Sequence, residues 1–187
     1  MANTNAPFGF RPVSRMGGSP FSVTEYGKLA ADTHALYRGD LVYKVVGAAA
    51  LGDGGGFNFP ACASGSDGIA VVNQTLWLGA SLTYGAASTL TAHPVTDEAD
   101  MIYFAQAKTG LAVTTVGHVG KNAPADLAAG STTTKLSGMS VGTPLTTATL
   151  DLKIIKVAML SGNAEGDSTI LEVLINKHQF TEAALGV

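Results

Sequence analysis

Clusters of Gly, Ser, Asp and Asn cut this chain into short apolar runs, and no stretch keeps a helical apolar rhythm long enough for a long helix. Short β-branched and aromatic runs between turn-forming clusters are the pattern of an all-β chain. "FSVTEYG" (Phe21–Gly27) reads as a first strand. "ALYRGDLVYKVV" (Ala35–Val46) reads as two short strands meeting at Gly39-Asp40, or as one strand bulged there. "GIAVVNQ" (Gly68–Gln74), "LWLGASLTYG" (Leu76–Gly85), "MIYFAQA" (Met101–Ala107) and "GLAVTTVG" (Gly110–Gly117) supply further strands. "GDGGGFN" (Gly52–Asn58) and "STTTKLSGMSVG" (Ser131–Gly142) read as loops, because glycine tolerates backbone angles that other residues avoid. "APADLAAG" (Ala123–Gly130) is the one good helix candidate, a turn or two ending at Gly130.

The last third is the clearest. "TATLDLKIIKVAML" (Thr147–Leu160) and "STILEVLINKHQF" (Ser168–Phe180) flank a Gly-rich link, which predicts an antiparallel hairpin over about 150–178. Strict alternation puts Leu152, Ile154, Lys156 and Ala158 on one side and Lys153, Ile155, Val157 and Met159 on the other. In the second strand Leu171, Val173 and Ile175 oppose Glu172, Leu174 and Asn176. The expected fold is mainly β: an antiparallel β-barrel or sandwich with long loops and at most one short helix. A single domain covers 21–187, preceded by an extended arm over 1–20.

That arm carries "NAPFGFRPV" (Asn5–Val13), two phenylalanines and two prolines with one charge. Proline has no amide hydrogen for a ladder and forces the preceding residue into extended geometry. Phe8 and Phe10 therefore need a surface to lie on, either the chain's own body or a neighbour's. Phe8, Phe10, Arg11, Pro12 and Val13 are the candidate interface residues.

Charged residues make up 13% of the chain and apolar ones 46%, so its charge is about half of the usual quarter. Either the chain is a turn-rich β protein with a neutral surface, or other subunits cover much of that surface. The net charge of −3 and the scattered cations argue against a nucleic-acid binder. Cys62 is the sole cysteine, so no internal disulfide is expected, which fits assembly in a reducing cytoplasm. The Met-Ala-Asn-Thr start lacks the basic and apolar regions of a secretory leader. Leu41–Leu51, interrupted by Lys44, is too short to span a bilayer, so no membrane partner is expected.

Enzyme signatures fail one by one. In "GHVGKN" (Gly117–Asn122) a phosphate loop would need glycine at Thr115 and a hydroxyl at Asn122. Around Ser66 the chain reads Ser64-Gly65-Ser66-Asp67-Gly68, without the leading glycine of a nucleophile elbow. "AHPVTDEAD" (Ala92–Asp100) groups His93 with Asp97, Glu98 and Asp100, a set that could hold a divalent metal but reads better as a solvated loop. His34, His93, His118 and His178 show no ligand spacing. Cys62 reads as a small buried thiol. "RGD" (Arg38–Asp40) reads as a turn inside a β-unit rather than a receptor-binding loop. No catalytic residue, metal or cofactor is expected.

In order along the chain, "NAPFGFRPV", "LYRGDLV", "VGKNA" and "EVLINKHQF" resemble a family of small virion structural proteins of tailed bacteriophages, the head decoration, cement or auxiliary capsid proteins. The resemblance is dense at the two ends and absent from Ala48 to Thr96. It implies a non-enzymatic β-rich protein that binds the outer surface of an icosahedral shell and stabilises it. Its implied partners are the major capsid protein lattice and copies of itself, with a trimer favoured. Its implied location is the capsid exterior of a virion assembled in the bacterial host cytoplasm. The competing readings are a receptor- or glycan-binding module of a head spike or tail fibre, with Trp77 and Tyr84 as candidate stacking residues, or a small β-rich neck or tail protein.

Overall fold

The computed structural model describes residues 3–29, 32–44, 62–67, 75–146 and 148–181. In chain order the elements are β1 Arg11–Arg15, β2 Thr24–Lys28, β3 Leu41–Lys44, β4 Cys62–Ser64, β5 Trp77–Ser81, β6 Thr91–Thr96 and β7 Met101–Gln106. There follow α1 Thr115–His118, β8 Asn122–Ala123, β9 Ala125–Asp126, β10 Ser140–Val141, β11 Leu152–Val157 and β12 Ile170–Ile175. The fold is mainly β and antiparallel; among the described residues the two five-stranded sheets do not close into a barrel and are arranged like a sandwich. The first sheet runs β1-β7-β12-β11-β8 and the second β2-β6-β5-β3-β4, with β9 and β10 as a small separate pair.

Alternation explains the first sheet. Met101, Tyr103 and Ala105 of β7, Leu171, Val173 and Ile175 of β12, and Leu152 and Ile154 of β11 are all buried. They share one core with Leu41, Trp77 and Ala80 from the second sheet. A smaller core of Tyr26, Leu36, Val42, Cys62, Leu78 and Val95 belongs to the second sheet.

β11 and β12 pair antiparallel as the hairpin pattern predicts, Leu152 opposite Ile175 and Val157 opposite Leu171. The strict alternation of β11 does not survive. A bulge between Ile154 and Lys156 places Lys156 opposite Glu172, where the two side chains form an ion pair at 3.2 Å. One extra residue shifts every later side chain to the other face, which takes Lys156 off the apolar side.

Three other expectations need correction. Ala123–Gly130 is not a helix. Pro124 separates two short strands there, and Ala123 and Ala125 are both buried, a two-residue period rather than a helical one. Among the described residues the one α-helical turn is instead α1, which overlaps the end of the expected strand Gly110–Gly117. The Thr114 hydroxyl caps it by accepting from the Gly117 amide. The expected solvated loop over Ala92–Asp100 begins as β6, with His93, Val95 and Thr96 buried. The expected loop Gly52–Asn58 and strand Gly68–Gln74 lie outside the described residues.

Candidate interaction site at the N-terminal arm

The start of the chain lies on the chain's own body, and its seat joins two of the sequence motifs. The Phe10 amide donates to the Gly39 carbonyl at 2.8 Å. Gly9 (φ +74°) and Gly39 (φ +91°) lie against one another where neither has room for a Cβ. Only glycine meets both demands at once, the left-handed backbone and the close approach. "PFGF" and "RGD" are thus two sides of one joint. Beyond it, β1 pairs antiparallel with β7 and forms an edge of the first sheet, the place in a sheet where proline is tolerated.

Side-chain amides hold the residues before the joint. Gln106, at the end of β7 and buried, accepts from the Ala6 amide at 3.0 Å and donates to the Thr4 carbonyl at 2.8 Å and the Ser168 carbonyl at 3.0 Å. Asn3 donates to the Ala164 carbonyl at 2.7 Å and accepts from the Ala164 amide at 3.0 Å. Sequence patterns gave no sign of either amide, because a lone Asn or Gln looks the same whether it clamps a backbone or faces water.

The five candidate interface residues divide. Phe10 is fully buried in the chain's own core, with its ring edge-on to Tyr103 at 6.4 Å. Phe8 and Pro12 are half-buried, while Arg11 and Val13 are exposed. A groove of about 690 Å³ runs beside the arm, lined by Phe8, Pro12, Phe104 and Leu160 among others, with Arg11 and Arg38 its only ionisable side chains. Neither arginine is ion-paired among the described residues. The groove is therefore apolar with a positive character, suited to an apolar surface that carries carboxylates.

The other candidate groups serve the fold. Asp40 is fully buried, accepting from the Tyr37 amide and the Ser64 hydroxyl, and burial raises its carboxyl above the ordinary value. The Arg-Gly-Asp turn is accordingly not a presented loop. His93 sits between the hydroxyls of Thr83 at 3.0 Å and Thr91 at 2.8 Å, and burial, then Lys28, lowers its pKa. The carboxylates that follow it in sequence point elsewhere. Asp97 accepts from Thr24 and Tyr26, Glu98 from Ser22, and Asp100 from Arg15, which holds the Asp100 carboxyl below its usual range. No cluster of three or more metal-ligating side chains occurs among the described residues. Cys62 is buried, and burial pushes its thiol up to about 12. Trp77 is fully buried and donates to Asp151. Tyr84 has the Lys135 ammonium over its ring at 4.4 Å and Tyr37 beside it at 5.5 Å. Trp77 thus offers no open stacking face, and Lys135 lies over one face of the partly buried Tyr84. Among the described residues no helix is long and apolar enough to cross a membrane.

Comparison with models of known protein families, with curated proteins and with solved structures found no match.

Proposed function

We propose that this chain is a non-enzymatic virion structural protein that binds the outer surface of a tailed-phage capsid and stabilises it as a cement or decoration protein. The observation that carries the reading is the ordered set of four motifs that resembles that family. The arm adds physical support, because "NAPFGFRPV" and "LYRGDLV" close on each other and open the groove of Arg11 and Arg38 beside them. The surface supports it too: Met159 is 91% exposed, Met16 64% and Phe180 56%, beside few charges. Exposed apolar side chains on a weakly charged body suit a protein that other subunits cover. Copies bound at many sites on a lattice hold through avidity even when each contact is weak. The partners in this reading are the major capsid protein lattice and other copies of the chain.

The test is quantitative mass spectrometry of intact particles from the phage that encodes the chain. Hundreds of copies per particle, and a shell that bursts at lower temperature once they are stripped, are the expected results. Absence from purified particles would refute the reading. Removing residues 1–13 is a poor probe, since it takes Phe10 from the core and most of β1 from the sheet. Phe8→Ala with Arg11→Ala spares both. A neighbour would cover only the part of Phe8 that its own chain leaves open, worth up to about 1 kcal/mol per copy, so the double variant is expected to dissociate from shells at lower salt than wild type.

A further inference from the structure

We propose that the β1 edge is a self-association surface. Two copies meet there about a two-fold axis, and the arginine-lined groove at the start of β1 in one receives the acidic corner at the end of β1 in the other. This deepens the reading above and rests on it for the expectation that the chain binds its own copies.

The two ends of β1 carry opposite charge. At its start lie Arg11 and Arg38, both exposed, over a groove with no carboxylate in its lining. At its end Arg15 bonds Asp100 at 3.0 Å and Glu98 at 3.4 Å. Asp97 precedes both carboxylates in the same link between β6 and β7 and accepts from the Thr24 hydroxyl at 3.0 Å. That corner sets three carboxylates against one guanidinium. It is also apolar, with Val23 45% and Met16 64% exposed. The two poles are four residues apart on one strand, roughly 13 Å at about 3.3 Å per residue. Val13 stands midway and is 38% exposed.

A patch with a positive pole, an apolar centre and a negative pole is complementary to itself when turned by a half-rotation about its centre. That is the defining property of a two-fold interface. Each copy's groove then meets the other's corner, so both charge contacts form twice, with the two Val13 side chains near the axis. The strands do not merge into one continuous sheet. Pro12 has no amide hydrogen, and the bulge between Pro12 and Ser14 breaks the spacing a ladder requires. Side chains hold the contact, which makes it sensitive to salt.

The experiment is sedimentation velocity on the full chain over a range of concentrations, at low and at high salt. Wild type is expected to dimerise, more weakly as salt rises. Arg11→Glu with Arg38→Glu, and separately Val23→Arg with Asp100→Lys, are each expected to weaken self-association at least tenfold. Arg11, Arg38 and Val23 are exposed and Asp100 makes only a surface ion pair, so far-UV circular dichroism and the thermal transition should match wild type. An equimolar mixture of the two variants is expected to restore a one-to-one heterodimer, because each reversed pole meets its new complement. A monomeric wild type at low salt, a dimer indifferent to both variants, or a mixture that stays monomeric would each overturn the proposal. Particle stoichiometry is read separately. Abundant copies on virions with an indifferent β1 edge would sink this inference and leave the function standing, whereas absence from virions would sink the function alone.

Discussion

The two sheets solve the problem of an interior differently. The first is filled by alternation, with Tyr103, Leu152, Ile154, Leu171 and Val173 fully buried and Phe10 delivered by the arm. The second buries chemistry: Lys28, Asp40, His93, Ser64 and Ser81 are all within 1% of complete burial. Each of these needs a partner, because an unpaired polar group inside costs far more than a paired one contributes. Lys28 reaches the Asp32 carboxylate at 3.6 Å and the Asp32 carbonyl at 3.1 Å. The difference teaches where substitutions should act: on packing volume in one sheet, on charge in the other.

The largest effect should come from attacking the apolar half through the arm. Phe10→Ala is expected to cost about 3–5 kcal/mol in chemical denaturation, the usual range for an aromatic lost from a core. A loss near zero would mean that the arm belongs to no core and that the comparison fails at its first point. In the polar half the sharpest comparison is Asp32→Asn alone against Asp32→Asn combined with Lys28→Met. The first strands a buried ammonium while keeping the acceptor for the His34 amide, and should cost about 3 kcal/mol. The second removes both charges and should lie within about 1 kcal/mol of wild type. Equal losses would mean that shape rather than charge governs this sheet.

The smallest effect is a slope in pH. Burial lowers the pKa of His93 and of His178 from 6.5, so the folded chain prefers both rings neutral. A depressed imidazole contributes stability that is full above about 6.5 and is lost as pH falls through the folded value. Thermal melts should therefore decline on acidification below neutrality, and His93→Gln should flatten that decline without abolishing it, since His178 remains. An unchanged slope would show that His93 titrates alike in the folded and unfolded chain.

How much could be read from sequence follows the same divide. β7, β11 and β12 announced themselves by β-branched and aromatic runs. β6 did not, because Pro94 and the polar His93 and Thr96 interrupt the pattern, and its strand is held by pairing with β2 and β5 that no local signal encodes. Ala123–Gly130 misled because alanine favours helices in isolation, whereas burial of every second residue decided otherwise. Of the candidate site, Phe8, Arg11 and Pro12 were visible as an arm that needs a surface. That its seat is Gly39 was not: the joint is a long-range approach of two glycines, and glycine in a sequence states only what it permits.

The clamps on the first residues also bear on biosynthesis. Gln106 and Ala164, which fasten Ala6 and Asn3, lie 100 and 161 positions downstream of them. A ribosome makes the beginning of the chain first and its fasteners much later. For most of translation Phe8 and Phe10 are bare in the nascent polypeptide, open to chaperones or to a finished molecule nearby.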